Sequence, residues 1–222
     1  MKTEIQDYLY TAALIGLILA ATVLLVGWAR SWLAFALDPA YVPLALFFLF
    51  AYAYGVLTAL ALRLLAAWLP LRPGDYDTGH SQFTLWKVQH VVAELGKVAL
   101  SLFFPVFARP AFYAFFGTRV GKGVAVAGKI LDPRLTVLEE GSVLGEGCIV
   151  TSHAMAGGRF ILREVVVGRG ATVGVGCILM PGVRIGPGAV VLPGSVLKAD
   201  TEVPAGEVWG GVPAVRLKGP SA

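Results

Sequence analysis

Residues 9–29 and residues 42–62 each run for 21 positions without a charge, closed by Arg30 and Arg63. At 1.5 Å per residue, each predicts a helix able to cross a hydrocarbon core of about 30 Å. The short link between them, with Asp38 and Pro39, predicts a hairpin. A helical period follows. Val88, Val91, Val92, Leu95, Val98, Ala99, Leu102, Phe103 and Val106 form the stripe of an amphipathic helix, with Gln89, Glu94, Lys97 and Ser101 on other faces. Residues 100–116 then turn aromatic and are broken by Pro105 and Pro110. This segment predicts an element in the membrane–water interface. A core helix packed on the following domain is the alternative.

From Val120 the period becomes six. Val120, Val126, Leu138, Leu144 and Val150 open successive units, and the series continues at Ile161, Val167, Val173, Leu179, Ile185, Val191, Leu197 and Val203. Four places on from each opener comes a small or β-branched residue, as at Ser142, Cys148, Ala171, Cys177 and Ser195. Glycine often takes the second place, as at Gly121, Gly145, Gly168, Gly174 and Gly186. One long aliphatic, one small residue and one turn per six positions predict a parallel β-helix with three units to a coil. The array is broken twice. Asp132 stands where an aliphatic opener is due, and eleven residues separate Val150 from Ile161 where six are due. The second break predicts a loop of five extra residues pushed out of an intact coil. It carries His153 at its base and the pliable pair Gly157-Gly158 at its bend.

Composition sharpens the division. The 222 residues are 57% hydrophobic and only 14% charged, with 27 glycines, and the mean hydropathy is +0.74. A helical bundle alone does not explain that glycine content. The net charge of +4 comes without a Lys/Arg cluster interleaved with aromatics, so nucleic acid is not indicated. Arg63, Arg72, Lys87, Lys97, Arg109, Arg119 and Lys122 follow the second span, while the hairpin link carries Arg30 alone. The positive-inside rule then places both termini and the repeat half in the cytoplasm, on a multi-pass chain of the inner membrane. Acidic Glu4 and Asp7 argue against a cleaved signal peptide. Cys148 and Cys177 occupy the same small slot and read as packed, reduced thiols. The domain boundaries that follow are 1–72 for the hairpin, 73–116 for the connector and 117–222 for the β-helix.

The units from Val167 to Asp200, followed by "VPAGEVWGGVPAVRLKG", resemble the hexapeptide-repeat (isoleucine-patch) acyltransferases. The segment Gly211-Val212-Pro213-Ala214 is similar to the tail of the branch using acyl-CoA. The first half, with "RPGDY" and Trp86, more loosely resembles the C-terminal membrane region of polylysine-synthetase-type peptide synthetases. The hexapeptide resemblance implies a left-handed β-helix and a homotrimer with acyl-CoA in clefts between neighbouring copies. It also implies a histidine on the extruded loop acting as general base, a position matched by His153. Asp132 falls where sugar-acetylating members carry an acidic residue near the acceptor; a distorted first coil that turns Asp132 outward before Pro133 is the alternative. Glu140 and Glu146 are weaker substrate-side candidates that could orient His153. The family's pantetheine and phosphate positions match Gly174, Pro193, Lys198 and Lys218, with Trp209 free to pack on the cofactor.

The chemistry stands beside the resemblance. Acyl transfer from a thioester needs an alcohol or amine stripped of its proton, and an imidazole titrating near neutrality suits that task. Backbone N–H groups of a glycine-bearing loop can receive the oxyanion. A histidine that merely decorates a surface loop is the bland alternative. The reading is therefore a membrane-anchored acyltransferase moving an acetyl or other acyl group from acyl-CoA to a hydroxyl or amine of a membrane-associated small-molecule or lipid-linked acceptor. No metal is expected: a lyase of the β-helical carbonic anhydrase type needs three histidines on zinc, and the repeat half has one. The remaining alternative is a non-catalytic trimeric membrane scaffold, or a partner subunit of a peptide-synthetase-like enzyme.

Overall fold

A computed structural model describes residues 4–219. The chain forms two compact units: residues up to Leu71 with Thr84–Phe104, and Arg72–Phe83 with the chain from Pro105 onward.

The first unit is helical. Helix α1 spans Ile5–Ala36 and α2 spans Val42–Trp68. Both overrun the uncharged stretches, because a helix continues until its backbone groups find other partners. Asp7 closes the start of α1 by accepting from the Glu4 N–H at 2.9 Å. Past Leu37 the chain turns on Asp38, whose Oδ1 accepts from Ala40 N–H at 2.9 Å, and Pro43 enters the first turn of α2. Both helices are long and apolar enough to cross a membrane. In α1 only Asp7, Ile18 and Thr22 are buried, and Trp28, Trp32 and Phe35 stand exposed.

Helix α3 spans Ser81–Ser101, and from Thr84 onward it belongs to this unit. It runs antiparallel to α2. A Cβ on Gly55 would lie 2.6 Å from Leu100 Cβ, and one on Gly96 would lie 2.4 Å from Thr58 Cγ2. Glycine at both crossings is what lets the backbones approach. The expected division of faces does not hold here, although Val88 and Val92 of the stripe are buried. Lys87, Gln89 and Lys97 are buried, while Val91, Leu95, Val98 and Leu102 are exposed. The polar groups go inward because partners are there: Lys87 pairs with Asp7, Lys97 with Glu94 at 2.5 Å, and Gln89 Nε2 donates to Leu69 O at 3.3 Å.

The second unit is a parallel β-helix. Its strands stack in three sheets with the rows Val120, Leu138, Val167, Ile185, Val203; Val126, Leu144, Val173, Val191, Trp209; and Ile130, Val150, Leu179, Leu197. All are buried except Val120 and Trp209 at the row ends, which are partly exposed. The coil turns tightly at its corners: a Cβ on Gly145 would lie 2.7 Å from Val175 N in the next coil. Strand Val208–Gly211 pairs antiparallel with Ala214–Lys218, which closes the edge of one sheet. Ahead of the first coil, the seven-residue helix α4, Arg109–Phe115, buries Phe112 and Tyr113, and the Tyr113 hydroxyl accepts from Ile130 N–H at 3.2 Å.

Two expectations about the register are corrected. Ile130, not residue 132, fills the third core slot of the first coil, so Asp132 lies outside the ladder, just ahead of the 3-10 turn Pro133–Leu135. The core keeps its aliphatic row by shortening one unit, which frees the acid from a slot where it would be costly. Ile161 is likewise not in a core row. The next core position along the chain after Val150 is Val167, 17 residues on, so the insertion holds eleven residues rather than five. Those residues form a hairpin and not a pliable loop.

Candidate active site

The insertion leaves the third sheet after Thr151 and folds as two antiparallel strands, His153–Ala156 and Arg159–Leu162. Gly157 and Gly158 turn it with φ of 56° and 77°, the left-handed pair that a two-residue hairpin turn requires. Strand Gly74–Asp77 adds to the outer edge, with Asp75 opposite Ile161 and Tyr76 opposite Phe160. Phe160 and Leu162 are fully buried, and the Phe160 ring lies 4.8 Å from that of Phe83 between centroids. Arg163 clamps the base. Its Nη2 donates to both carboxylate oxygens of Asp75 at 2.9 Å, and its Nη1 bonds Asp200.

This frame sets His153 against Asp132. The Nδ1 atom lies 2.6 Å from Asp132 Oδ2, with the histidine side chain 19% exposed and the aspartate 4%. The same carboxylate oxygen accepts from Ser152 N–H at 2.9 Å. The backbone of Asp132 is fixed in turn, since its carbonyl accepts from Leu135 N–H at 3.1 Å and Thr136 Oγ1 at 3.0 Å. Ser152 Oγ donates to Leu135 O at 3.0 Å and so ties the 3-10 turn to the hairpin base. An ionised carboxylate only accepts, so in the neutral imidazole a hydrogen bond between the two groups carries its proton on Nδ1, which Thr151 Oγ1 also approaches at 3.2 Å.

The other predicted residues fall apart into separate places. Glu140 is exposed and, with Arg119, Gly121, Glu139 and Arg169, lines an open groove of about 410 Å³. Glu146 is 3.9 Å from Arg109 Nη1. The carboxylate bonded to His153 is that of Asp132, not of Glu140 or Glu146. Gly174 and Pro193 stack at one corner, where a Cβ on Gly174 would lie 2.5 Å from Pro193 N. Trp209 joins them through its carbonyl, which accepts from Leu192 N–H at 2.8 Å. Its indole N–H donates to the buried Glu207 at 2.8 Å, and Glu207 also holds Arg216 Nε at 3.1 Å. Lys218 lies on the last strand, opposite Val208. Lys198 is exposed at a different corner, after the third sheet. Ser152, Asp75 and Arg163 were not singled out from the sequence; nothing in a lone Arg or Asp reports a pairing 88 residues away.

Cys148 and Cys177 are free and buried, and their thiols donate to Gly174 O at 2.8 Å and Leu192 O at 3.1 Å. The side-chain hydrogen bond with Cys177, together with burial, pushes the Cys148 thiol well above its ordinary range.

Residues 164–199 match the family described as bacterial transferase hexapeptide (six repeats). That segment is a hexapeptide-repeat array. Among solved structures, the chain is similar to a hexapeptide-repeat acetyltransferase from Vibrio cholerae, at 20% identity and a TM-score of 0.44 over 48% of this chain and 65% of that one. It is also similar to a perosamine N-acetyltransferase from Caulobacter crescentus, solved as a mutant with CoA and GDP-perosamine, at 26% identity and a TM-score of 0.35 over 46% and 51%. A maltose O-acetyltransferase from Clostridium difficile gives 18% identity and a TM-score of 0.36 over 58% and 76%. The chain thus spans less than two thirds of the first two. No curated protein matches. The similarity to polylysine-synthetase-type enzymes is not among what these comparisons show.

Proposed function

We propose that this chain is a membrane-anchored acyltransferase that moves an acyl group, acetyl in the simplest case, from acyl-CoA to a hydroxyl or amine of a membrane-associated acceptor. The observation that carries the reading is the 2.6 Å contact between His153 Nδ1 and Asp132 at the base of a hairpin extruded from a continuous β-helix. A buried carboxylate fixes the tautomer and orients the ring, which leaves Nε2 to act as the base. Nε2 takes the acceptor's proton as its oxygen or nitrogen attacks the thioester carbonyl. The tetrahedral adduct collapses by breaking the C–S bond, and the proton passes from His153 to the departing thiolate, giving acylated acceptor and free CoA.

In this reading Asp132 is a positioning residue for His153, in place of the acceptor contact expected from the repeat alignment. Glu140 and Glu146 remain acceptor-side candidates. Gly174, Pro193, Trp209, Lys198 and Lys218 would bind CoA, with both lysines toward its phosphates. A homotrimer, the two helices as a membrane hairpin and a cytoplasmic β-helix complete the proposal. Anchoring raises the local concentration of an acceptor held at the bilayer. Equilibrium dialysis of CoA against the detergent-solubilised chain tests the donor site. Binding that weakens in Trp209→Ala and Lys198→Ala is expected. Absence of binding at millimolar CoA would overturn the donor assignment.

A further inference from the structure

Helix α3 is built inside out for a helix that meets water. From Thr84 to its end its exposed positions are Val91, Leu95, Val98 and Ser101, and the exposed Leu102 continues the line. The spacing of Val91, Leu95, Val98 and Leu102 puts these four on one face. Ser101 bonds its own helix, donating to Val98 O at 2.8 Å. The charged residues are turned the other way. Lys87 and Lys97 are both more than nine-tenths buried, paired with Asp7 and Glu94, and Gln89 is buried against the end of α2. An amphipathic helix lying at an interface exposes its charges and hides its apolar face. Paired charges inside and aliphatic side chains outside are the pattern of a helix surrounded by lipid.

The packing against α2 gives the depth. Gln89 meets Leu69, Gly96 meets Thr58, Leu100 meets Gly55, and the Phe103 ring reaches Tyr52 at 5.3 Å and Phe48 at 6.1 Å between centroids. Phe48 stands 15 residues before Arg63, the charge that closes the second apolar stretch, which is about 22 Å of helix at 1.5 Å per residue. That is most of a hydrocarbon core of about 30 Å. Pro105 then stops the helix, as a residue without an N–H to continue the ladder.

We propose that α3 is a re-entrant membrane helix: it enters the lipid beside the C-terminal half of α2, and Val91, Leu95, Val98 and Leu102 rest on acyl chains, progressively deeper from Val91 to Leu102. The inference rests on α1 and α2 being membrane spans. It replaces the interfacial placement of residues 88–104.

The test is site-directed spin labelling of the full chain in phosphatidylcholine–phosphatidylglycerol vesicles. Single cysteines replace Val91, Leu95, Val98 and Leu102, with Leu17 and Leu24 of α1 as lipid controls and Glu202 as the water control. Expected is oxygen collision at the α1 level, loss of collisions with a water-soluble nickel complex, and a depth that increases from position 91 to position 102. Nickel access along α3 with α1 still protected would overturn the proposal, as would a constant shallow depth. Labels reached by neither agent would overturn it in favour of a second copy of the chain covering this face. Nickel access at positions 17 and 24 would instead bring down the membrane reading itself.

Discussion

Excising residues 152–162 tests whether the hairpin that carries His153 is an insertion in an otherwise continuous coil. Removing these eleven positions leaves Val150, Thr151 and Arg163 in sequence and returns Val167 to six places after Val150, the spacing of its neighbours. The ends are already close, since Arg163 N–H donates to Ser152 O at 2.8 Å. Lost are Phe160 and Leu162, both fully buried, at about 1.5–3 kcal/mol each. Against that, closing a loop of eleven residues costs roughly 2 kcal/mol, which the shortened chain no longer bears. The net loss is about 1–4 kcal/mol, or a melting temperature lower by roughly 2–16 °C for a domain of this size. Hydrogen exchange reads the outcome. The amides of Thr151 and Val166, bonded to Leu179 O and Val183 O in the next coil, should stay protected, while all acyl transfer disappears. A control lacking only residues 154–158 should be the less stable of the two, because it deletes the turn and most of the strand paired with Arg159–Leu162 and leaves six extra residues that fit neither the coil spacing nor the hairpin. Loss of protection throughout the coils of the eleven-residue variant, or a better-protected five-residue variant, would refute the register.

Asp132→Asn should lower kcat by about 10- to 150-fold, the loss of one charge-assisted hydrogen bond worth about 1.5–3 kcal/mol, with KM for acyl-CoA unchanged; a rise in KM at constant kcat would assign Asp132 to substrate binding instead. Gly145→Ala should destabilise the β-helix by about 1–3 kcal/mol, because the new methyl would meet Val175 N at 2.7 Å and Gly174 C at 2.8 Å; an unchanged melting curve would contradict that packing. Cys148 should resist iodoacetamide at pH 8 until denaturant is added. Its raised pKa keeps the thiol protonated at that pH, and only the thiolate is nucleophilic; full labelling of the native chain would refute this.

Much of this architecture is legible in the sequence because the core repeats. An aliphatic every six residues has one stable arrangement, and glycine at the corners follows from coil-to-coil distances as short as those at Gly145. The two helices are equally visible, since each rests on one long uncharged apolar run. What the pattern hides is the meaning of its exceptions. Asp132 looked like a charge in a core slot, because nothing local shows that Ile130 has taken that slot two residues early. Ile161 mimicked a core aliphatic because the hairpin strand has its own alternation, with Phe160 and Leu162 inward. One clue was available. An aliphatic stands at Ile130, two residues before the acid; once it is stacked under Val150, Asp132 falls level with Ser152 and beside His153. The polarity of α3 could not be read at all. A stripe of valines predicts a helix, but which side faces outward depends on where Asp7 and Leu69 supply partners.

The most direct test of His153 as the general base measures CoA release from acetyl-CoA by the detergent-solubilised chain, supplied with a total membrane extract of its source organism, for wild type and His153→Ala. A general base contributes about 10²–10⁴ to the rate. Expected is acceptor-dependent CoA release that falls by at least a hundredfold in His153→Ala, while the melting temperature and hydrogen-exchange protection of the β-helix stay as in wild type. Undiminished release from a folded His153→Ala chain would contradict that role.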